Sequence, residues 1–399
     1  MAEPMTELST RLIKSSNIIY MDKHGLSFDF APQDVAVQEE ARRLGARVAP
    51  LAAEADASSR IHEGVREALR DSGLAGLMVP AAYGGRTDAV DPLAVCLVRE
   101  ALMPASSHLD SLFALQGIGS YAITVAGTEE QRRRWLPRVA QLDSLAALAL
   151  TEENAGSDLK AVATTVTEKD GRLVLNGRKT FISNAGAADF YVTLAREEDG
   201  LTLVLVPADA PGLTVTPSPE LLAPHVLGDI EFDSVEVDSG ARLGPAGGAM
   251  KLVLGTLTVF RVSVAGAALG LADGALGEAA RHAARREQFG RPLARIGPVA
   301  QLLADAWTDV EMVRLLTYQA ADAARRDPAA ALTRSSMAKV AATEAACRVV
   351  DRCVQVMGRW GLVQGSPIER YYRQARPMRV YEGASEVLKL GLARELCGV

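Results

Sequence analysis

The feature that most limits the fold is a double change of hydrophobic rhythm along the 399 residues. From Ala31, the apolar residues Val35, Val37, Ala41, Leu44 and Val48 recur near a 3.6-residue period, which gathers them on one helix face. Val65, Leu69, Leu74 and Leu77 carry the period to the breakers at Pro80 to Gly85, and more helices are expected over about 91–104, 109–126 and 128–140. Near Ser144 the rhythm becomes that of strands. Leu145 to Leu150 is a short apolar run, and Leu173 to Leu175 is expected to pair with Lys179 to Ile182 across a hairpin turn at Asn176-Gly177, since both residues accept positive φ. Further strands are expected at about 190–196, 201–206, 213–217 and 228–237. After Gly247-Gly248 the helical period returns, over about 249–284, 297–325, 330–358 and 385–396, and the stripe Val299, Leu302, Leu303, Ala306, Val310 and Val313 suits bundle packing. The expected chain is mainly α with an inserted antiparallel β domain: a polar extension over 1–26, a helical domain over 27–143, the β domain over 144–246 and a helical bundle over 247–399.

This length exceeds one compact core, so subdomains are expected. Aromatic residues are only 5% of the chain, which leaves Ala, Leu and Val to build the interior. The net charge of −6 arises from interspersed acids and bases, which argues against nucleic acid or an acidic membrane as partner. The basic run Arg132-Arg133-Arg134 reads as a solvated helix face. Cys96, Cys347, Cys353 and Cys397 lack CxxC spacing or nearby histidine pairs, so neither a zinc site nor a disulfide framework is indicated. With no apolar leader, and no run judged long enough to span a bilayer, a cytoplasmic protein is expected.

Three stretches could carry chemistry. Thr151 to Asp158 joins a strand end to a glycine-containing loop, where backbone amides and hydroxyls converge as a ligand cradle or as a plain connection. Ser183 and Asn184, behind Phe181, form a polar strand end. Tyr381-Glu382-Gly383 places a carboxylate beside a glycine just before the amphipathic run Ser385 to Leu396, so an acid sits at a helix mouth that backbone and ligand can approach. Alone, that last segment reads as an ordinary turn.

Taken together, Thr151 to Asp158, Lys179 to Asn184, Arg286-Glu287-Gln288-Phe289-Gly290, Gln355 to Gly361 and Tyr381 to Glu386 resemble, in order and spacing, the acyl-CoA dehydrogenase flavoproteins, from about Ser27 to the end. The resemblance implies a helical domain, a central β domain, a C-terminal four-helix bundle and bound FAD. It implies that Leu150 and Thr151 hold the flavin's pyrimidine edge, Phe181 lies against the ring and Ser183 bonds the reactive ring nitrogen. Ser157 would serve cofactor and substrate. Arg286, Gln288 and Phe289 would reach the FAD of a neighbouring subunit, Gln355, Gly358 and Gly361 its adenosine half, and Ser385 would open a helix that holds FAD. Shared FAD implies a homotetramer built as two dimers. Glu382 would be the base that removes the α-proton of an acyl-CoA or acyl-carrier-protein thioester, with Arg261 and Gly383 beside the substrate. Electrons would pass to an electron-transfer flavoprotein or to oxygen.

Some relatives place the base on a helix next to the arginine matching Arg261. Here that neighbour is Phe260, which cannot accept a proton, so the role falls on Glu382. Three departures qualify the likeness: Thr258 stands where an aspartate is usual, Gly297 where a glutamine is common, and Leu221 to Ile230 lacks the usual Gly-x-Arg-x-Ser pattern. Flavin-dependent oxidation or hydroxylation with oxygen, and a catalytically silent scaffold, are the competing readings on the same architecture.

Overall fold

A computed structural model describes residues 30–398. The expected polar extension over 1–26 lies outside the described residues.

Five helices of ten residues or more come first, with a single helical turn at Ala52–Ala55 between the first two: α1 (Pro32–Val48), α2 (Glu63–Ser72), α3 (Pro92–Leu102), α4 (Ser107–Ala126) and α5 (Glu129–Ala140). Their starts follow from local chemistry. Asp91 accepts the amides of Leu93 and Ala94 at the head of α3, and Thr128 with Gln131 forms a reciprocal capping box on α5. The helical period through Leu74 and Leu77 does not continue α2: Gly73, at φ +65, ends it, and Leu74–Met78 form a tighter 3-10 turn. In α5, Arg133 and Arg134 are exposed as expected, while Arg132 reaches the carbonyl of Thr124 at 3.1 Å and Trp135 is buried against Phe190.

The strands are β1 (Ala146–Ala149), β2 (Thr165–Lys169), β3 (Arg172–Ser183), β4 (Phe190–Glu197), β5 (Gly200–Pro207), β6 (Leu213–Pro217), β7 (Leu227–Asp238) and β8 (Arg242–Leu243). They form one sheet in the order β6-β7-β3-β2-β4-β5-β8, with β1 paired to β4. The sheet is not purely antiparallel as expected, because β1 runs parallel to β4 from Ala146↔Phe190 to Ala149↔Thr193. The expected hairpin at Asn176-Gly177 is also corrected. The turn lies at Asp170-Gly171, where φ is +52 and +76, and it joins β2, which periodicity had not revealed, to a single long β3. Asn176-Gly177 instead marks an irregularity inside β3. There Asn176 Oδ1 accepts the Ser234 amide at 2.9 Å, and a Cβ on Gly177 would meet Thr164 at 2.7 Å, so the glycine serves close approach.

The C-terminal helices are α6 (Ala249–Arg285), α7 (Gly297–Arg326), α8 (Leu332–Met357), α9 (Pro367–Met378) and α10 (Ser385–Cys397). A small hairpin, β9 (Glu287–Gln288) with β10 (Arg291–Pro292), links α6 to α7. Helix α9 had not been read from the sequence; Ser366 caps it and Pro367 opens it. The helix α6 is long and apolar enough, by length and composition alone, to cross a membrane, contrary to the expectation that no run would be. It is the central element of the bundle, with Val262, Leu269, Leu271 and Ala275 buried among residues of α3, α7 and α8.

Three clusters make the core. One joins the N-terminal helices to one sheet face and the start of α6, through Phe190, Leu203 and Phe260; one covers the other sheet face around Tyr191 and Phe232; the third fills the bundle. The third is built largely of alanine, which lets the helices come close and matches the low aromatic content. All four cysteines are unpaired.

Candidate active site

One local departure from ordinary backbone is the turn after α9. Glu382 has φ +53, a left-handed conformation that non-glycine residues seldom adopt, and Gly383 follows at φ +108. Two cations hold the turn. Arg261 of α6 donates from Nε to the Glu382 carbonyl at 2.8 Å, and Lys339 of α8 donates from Nζ to the Gly383 carbonyl at 2.7 Å. Oε2 of Glu382 is buried without a hydrogen-bond partner. The backbone amides of Glu382, Gly383 and Ala384 likewise donate to nothing among the described residues.

A third cation stands nearby. Arg99 of α3 is buried and makes a bidentate pair with Asp110 of α4, at 2.9 and 2.7 Å, and donates to Ser263 of α6 at 3.0 Å. Burial pushes the Glu382 carboxyl above its ordinary range against the pull of Arg99, Arg261 and Lys339. Burial therefore outweighs the three cations. The raised affinity is what a proton acceptor working near neutral pH requires.

The second region is the edge between β1 and β3. The Glu152 carboxylate takes Lys179 Nζ at 2.8 Å and the amides of Ala163 and Thr164 at 2.7 and 3.0 Å, while Lys179 also donates to the Leu150 carbonyl at 3.1 Å. Burial opposes the Glu152 charge, yet these bonds hold its carboxyl down at about 2; burial lowers Lys179 to about 8. The Thr151 carbonyl accepts the Thr180 amide at 2.9 Å, which docks Thr151 beside Phe181. Phe181 is half exposed at φ +55, its amide bonded to Asp229. Ser157 is exposed. Ser183 shares a 2.9 Å hydrogen bond with Nε2 of His225, which burial holds in the neutral range with its pKa lowered to about 4.

The structure thus brings together Leu150, Thr151, Phe181 and Ser183 on one edge, and Glu382 and Gly383 in one turn that Arg261 reaches from α6. Ser385, at the head of α10, is buried, with its hydroxyl beside the Glu344 carboxylate. The hairpin residues Arg286, Gln288 and Phe289 are exposed, Phe289 at 91%, and among the described residues no side-chain hydrogen bond or ion pair joins them to either group. Gln355 and Gly358 are exposed at the end of α8, while Gly361 packs under Val354. Among the departures, the Thr258 hydroxyl bonds its own helix at the Leu254 carbonyl, Gly297 begins α7, and the irregular stretch before β7 supplies His225.

Lys339, Arg99, Asp110 and His225 had not been singled out. Lys339 could have been, because a lone lysine sits on the apolar stripe of Ser335, Ala338, Ala342 and Ala346; so could Arg99, as a charge inside the apolar run of α3.

Residues 32–143, 147–235 and 247–397 match, respectively, the N-terminal, middle and C-terminal domains of acyl-CoA dehydrogenases. The chain belongs to the acyl-CoA dehydrogenase family. It is 33% identical, over 376 residues, to a cyclohexane-1-carbonyl-CoA dehydrogenase of Geobacter metallireducens, covering 91% of this chain and 97% of that protein. It is 35% identical, over 334 residues, to an acyl-CoA dehydrogenase of Bacillus subtilis, covering 82% and 87%. The solved butyryl-CoA dehydrogenase of Megasphaera elsdenii superposes with a TM-score of 0.89 at 29% identity, covering 93% of this chain and all of that one. This acyl-CoA dehydrogenase-like chain is accordingly an FAD oxidoreductase, and its fold is the family's helical, β and bundle arrangement.

Proposed function

We propose that this protein carries out FAD-dependent α,β-dehydrogenation of an acyl thioester, with Glu382 as the base. The observation that carries the reading is the Glu382 turn: a carboxylate oxygen buried without a partner, a strained backbone, and amides that donate to nothing. The buried groups at the two regions fit a flavin and a thioester, since unpartnered polar atoms in an interior call for a partner. FAD, when bound, supplies the acceptor for the substrate's β-hydrogen, which leaves as hydride.

The chain's own residues do the rest. Glu382 takes the α-proton, and the product is the α,β-unsaturated thioester. Its free amide is the donor for charge developing on the thioester oxygen. Arg261 and Gly383 border the acyl group. Leu150, Thr151, Phe181, Ser183 and Ser385 hold the flavin, with His225 sharing the Ser183 hydroxyl; since serine has one proton to donate, His225 must donate its own for Ser183 to bond the flavin. Ser157 serves cofactor and substrate. The exposed residues Arg286, Gln288, Phe289, Gln355 and Gly358, together with the buried Gly361, suit a second copy's FAD, in a homotetramer built as two dimers. The relatives' names favour acyl-CoA over acyl-carrier protein as substrate, and an electron-transfer flavoprotein or oxygen as acceptor; the protein is proposed to act in the cytoplasm.

The test is direct. Without oxygen, the yellow holoenzyme should bleach on addition of one of butyryl-CoA, glutaryl-CoA or cyclohexane-1-carbonyl-CoA. Bleaching only by a nicotinamide or reduced-flavin donor would overturn the dehydrogenase reading in favour of the oxygen-using one.

A further inference from the structure

We infer that Lys339 is a positioning residue that, together with Arg261, clamps the base-bearing turn from behind. The inference rests on the base role proposed for Glu382. Lys339 is fully buried in α8, and among the described residues the only hydrogen bond its ammonium makes is to the Gly383 carbonyl. Its neighbour in function, Arg261, comes from α6 and takes the preceding carbonyl, that of Glu382. Two consecutive carbonyls are therefore drawn toward two different bundle helices.

The geometry has a definite consequence. A trans peptide is planar, with its N–H opposed to its C=O, so fixing these two carbonyls fixes two peptide planes. The amides of Gly383 and Ala384 must then point away from the cations. Fixing the two planes fixes both dihedrals of Gly383, which lies between them at φ +108, and anchors the carbonyl side of Glu382, whose own φ is +53. Strain of this kind persists only where surrounding structure over-determines it, and a cation on each carbonyl does that. The glycine is part of the device: a Cβ at position 383 would meet Leu388 at 2.9 Å and Arg261 at 3.2 Å, so the clamp closes on a position with no room for a side chain.

Lys339 acts by charge as well as by its bond. It has no carboxylate within ion-pair distance among the described residues, whereas Arg99 is neutralised by Asp110. The charged groups that face Glu382 are Arg99 from α3, Asp110 from α4, Arg261 from α6 and Lys339 from α8, with Tyr381 on its own segment. Lys339 is thus one of two cations beside the carboxylate without a carboxylate partner, and it favours the ionised form.

The test uses holoenzyme, without oxygen, and whichever of butyryl-CoA, glutaryl-CoA and cyclohexane-1-carbonyl-CoA bleaches the wild type fastest. Wild type, Lys339→Met, Lys339→Arg and Glu382→Gln are compared by bleaching rate against concentration and pH, with thermal midpoints recorded. Lys339→Met should lower the limiting rate by about tenfold to a hundredfold, the effect of a small misplacement of a reacting group. The half-saturating concentration should change little, and the acid limb should move to higher pH because a stabilising cation is gone. Lys339→Arg should restore most of the rate. A Lys339→Met enzyme with the wild-type rate and acid limb overturns the clamp, as does a Lys339→Arg enzyme as slow as Lys339→Met. If Lys339→Met does not fold, Lys339→Gln carries the same comparison. Glu382→Gln separates the two claims: wild-type bleaching by it removes the base reading itself, while an inert Glu382→Gln beside an unaffected Lys339→Met removes the clamp alone.

Discussion

Two buried lysines stand under the two halves of the site. Lys179 and Lys339 are each fully buried, each lowered to about 8 by burial, and each donates to the carbonyl of a residue proposed for the site, Leu150 at 3.1 Å and Gly383 at 2.7 Å. Only Lys179 has a carboxylate partner, Glu152 at 2.8 Å. The difference separates support from chemistry. A paired lysine spends its charge on its partner and fastens a strand end; one without a carboxylate partner leaves its charge to the nearest carboxylate, here that of Glu382.

The contrast can be broken by removing each lysine. Lys179→Met should cost about 3 kcal/mol in denaturant unfolding, at the low end for a broken buried pair, because Glu152 keeps the amides of Ala163 and Thr164. The loss should fall on stability and FAD retention, while the acid limb of turnover stays where the wild type has it; Lys339→Met should show the reverse pattern. Equal effects of the two variants on the acid limb would erase the distinction.

A second variant sharpens the contrast between the enclosed turn and the exposed hairpin. Arg286→Ala should weaken FAD retention by roughly tenfold, the scale of one lost charge-assisted hydrogen bond, with no change in unfolding of the FAD-free chain. A loss of stability without any change in FAD binding would place Arg286 in the fold instead.

The smallest effect is on pH. Glu152 is held at about 2, below its ordinary value of 4.5, so the stability it contributes is present above 4.5 and is lost as pH falls toward about 2. Glu152→Gln should flatten that stretch of the stability curve.

Much of the fold was legible because periodicity and breakers carry it: the switch to strands near Ser144 and the return to helices after Gly247-Gly248 are local signals. The hairpin was misplaced because Asn-Gly and Asp-Gly make the same turn, and only pairing across the sheet decides between them. Asp170-Gly171 joins β2 to β3, while Gly177 is needed for contact with Thr164. Helix α9 escaped notice because its arginines, tyrosines and Pro377 obscure a short amphipathic face. Glu382 was singled out through motif order. Lys339 showed in the sequence only as a lone lysine on a buried helix stripe, and His225 not at all, because the contacts that give them a place are with residues 44 and 42 positions away along the chain.

The central claim is that Glu382 removes the α-proton. Holoenzyme and substrate thioester, kept without oxygen in deuterated water, should exchange the α-hydrogen at a rate read by NMR. Glu382→Gln, with FAD retained, should slow that exchange by about a hundredfold to ten-thousandfold, the usual range for a lost general base. Exchange by Glu382→Gln at the wild-type rate would contradict the account.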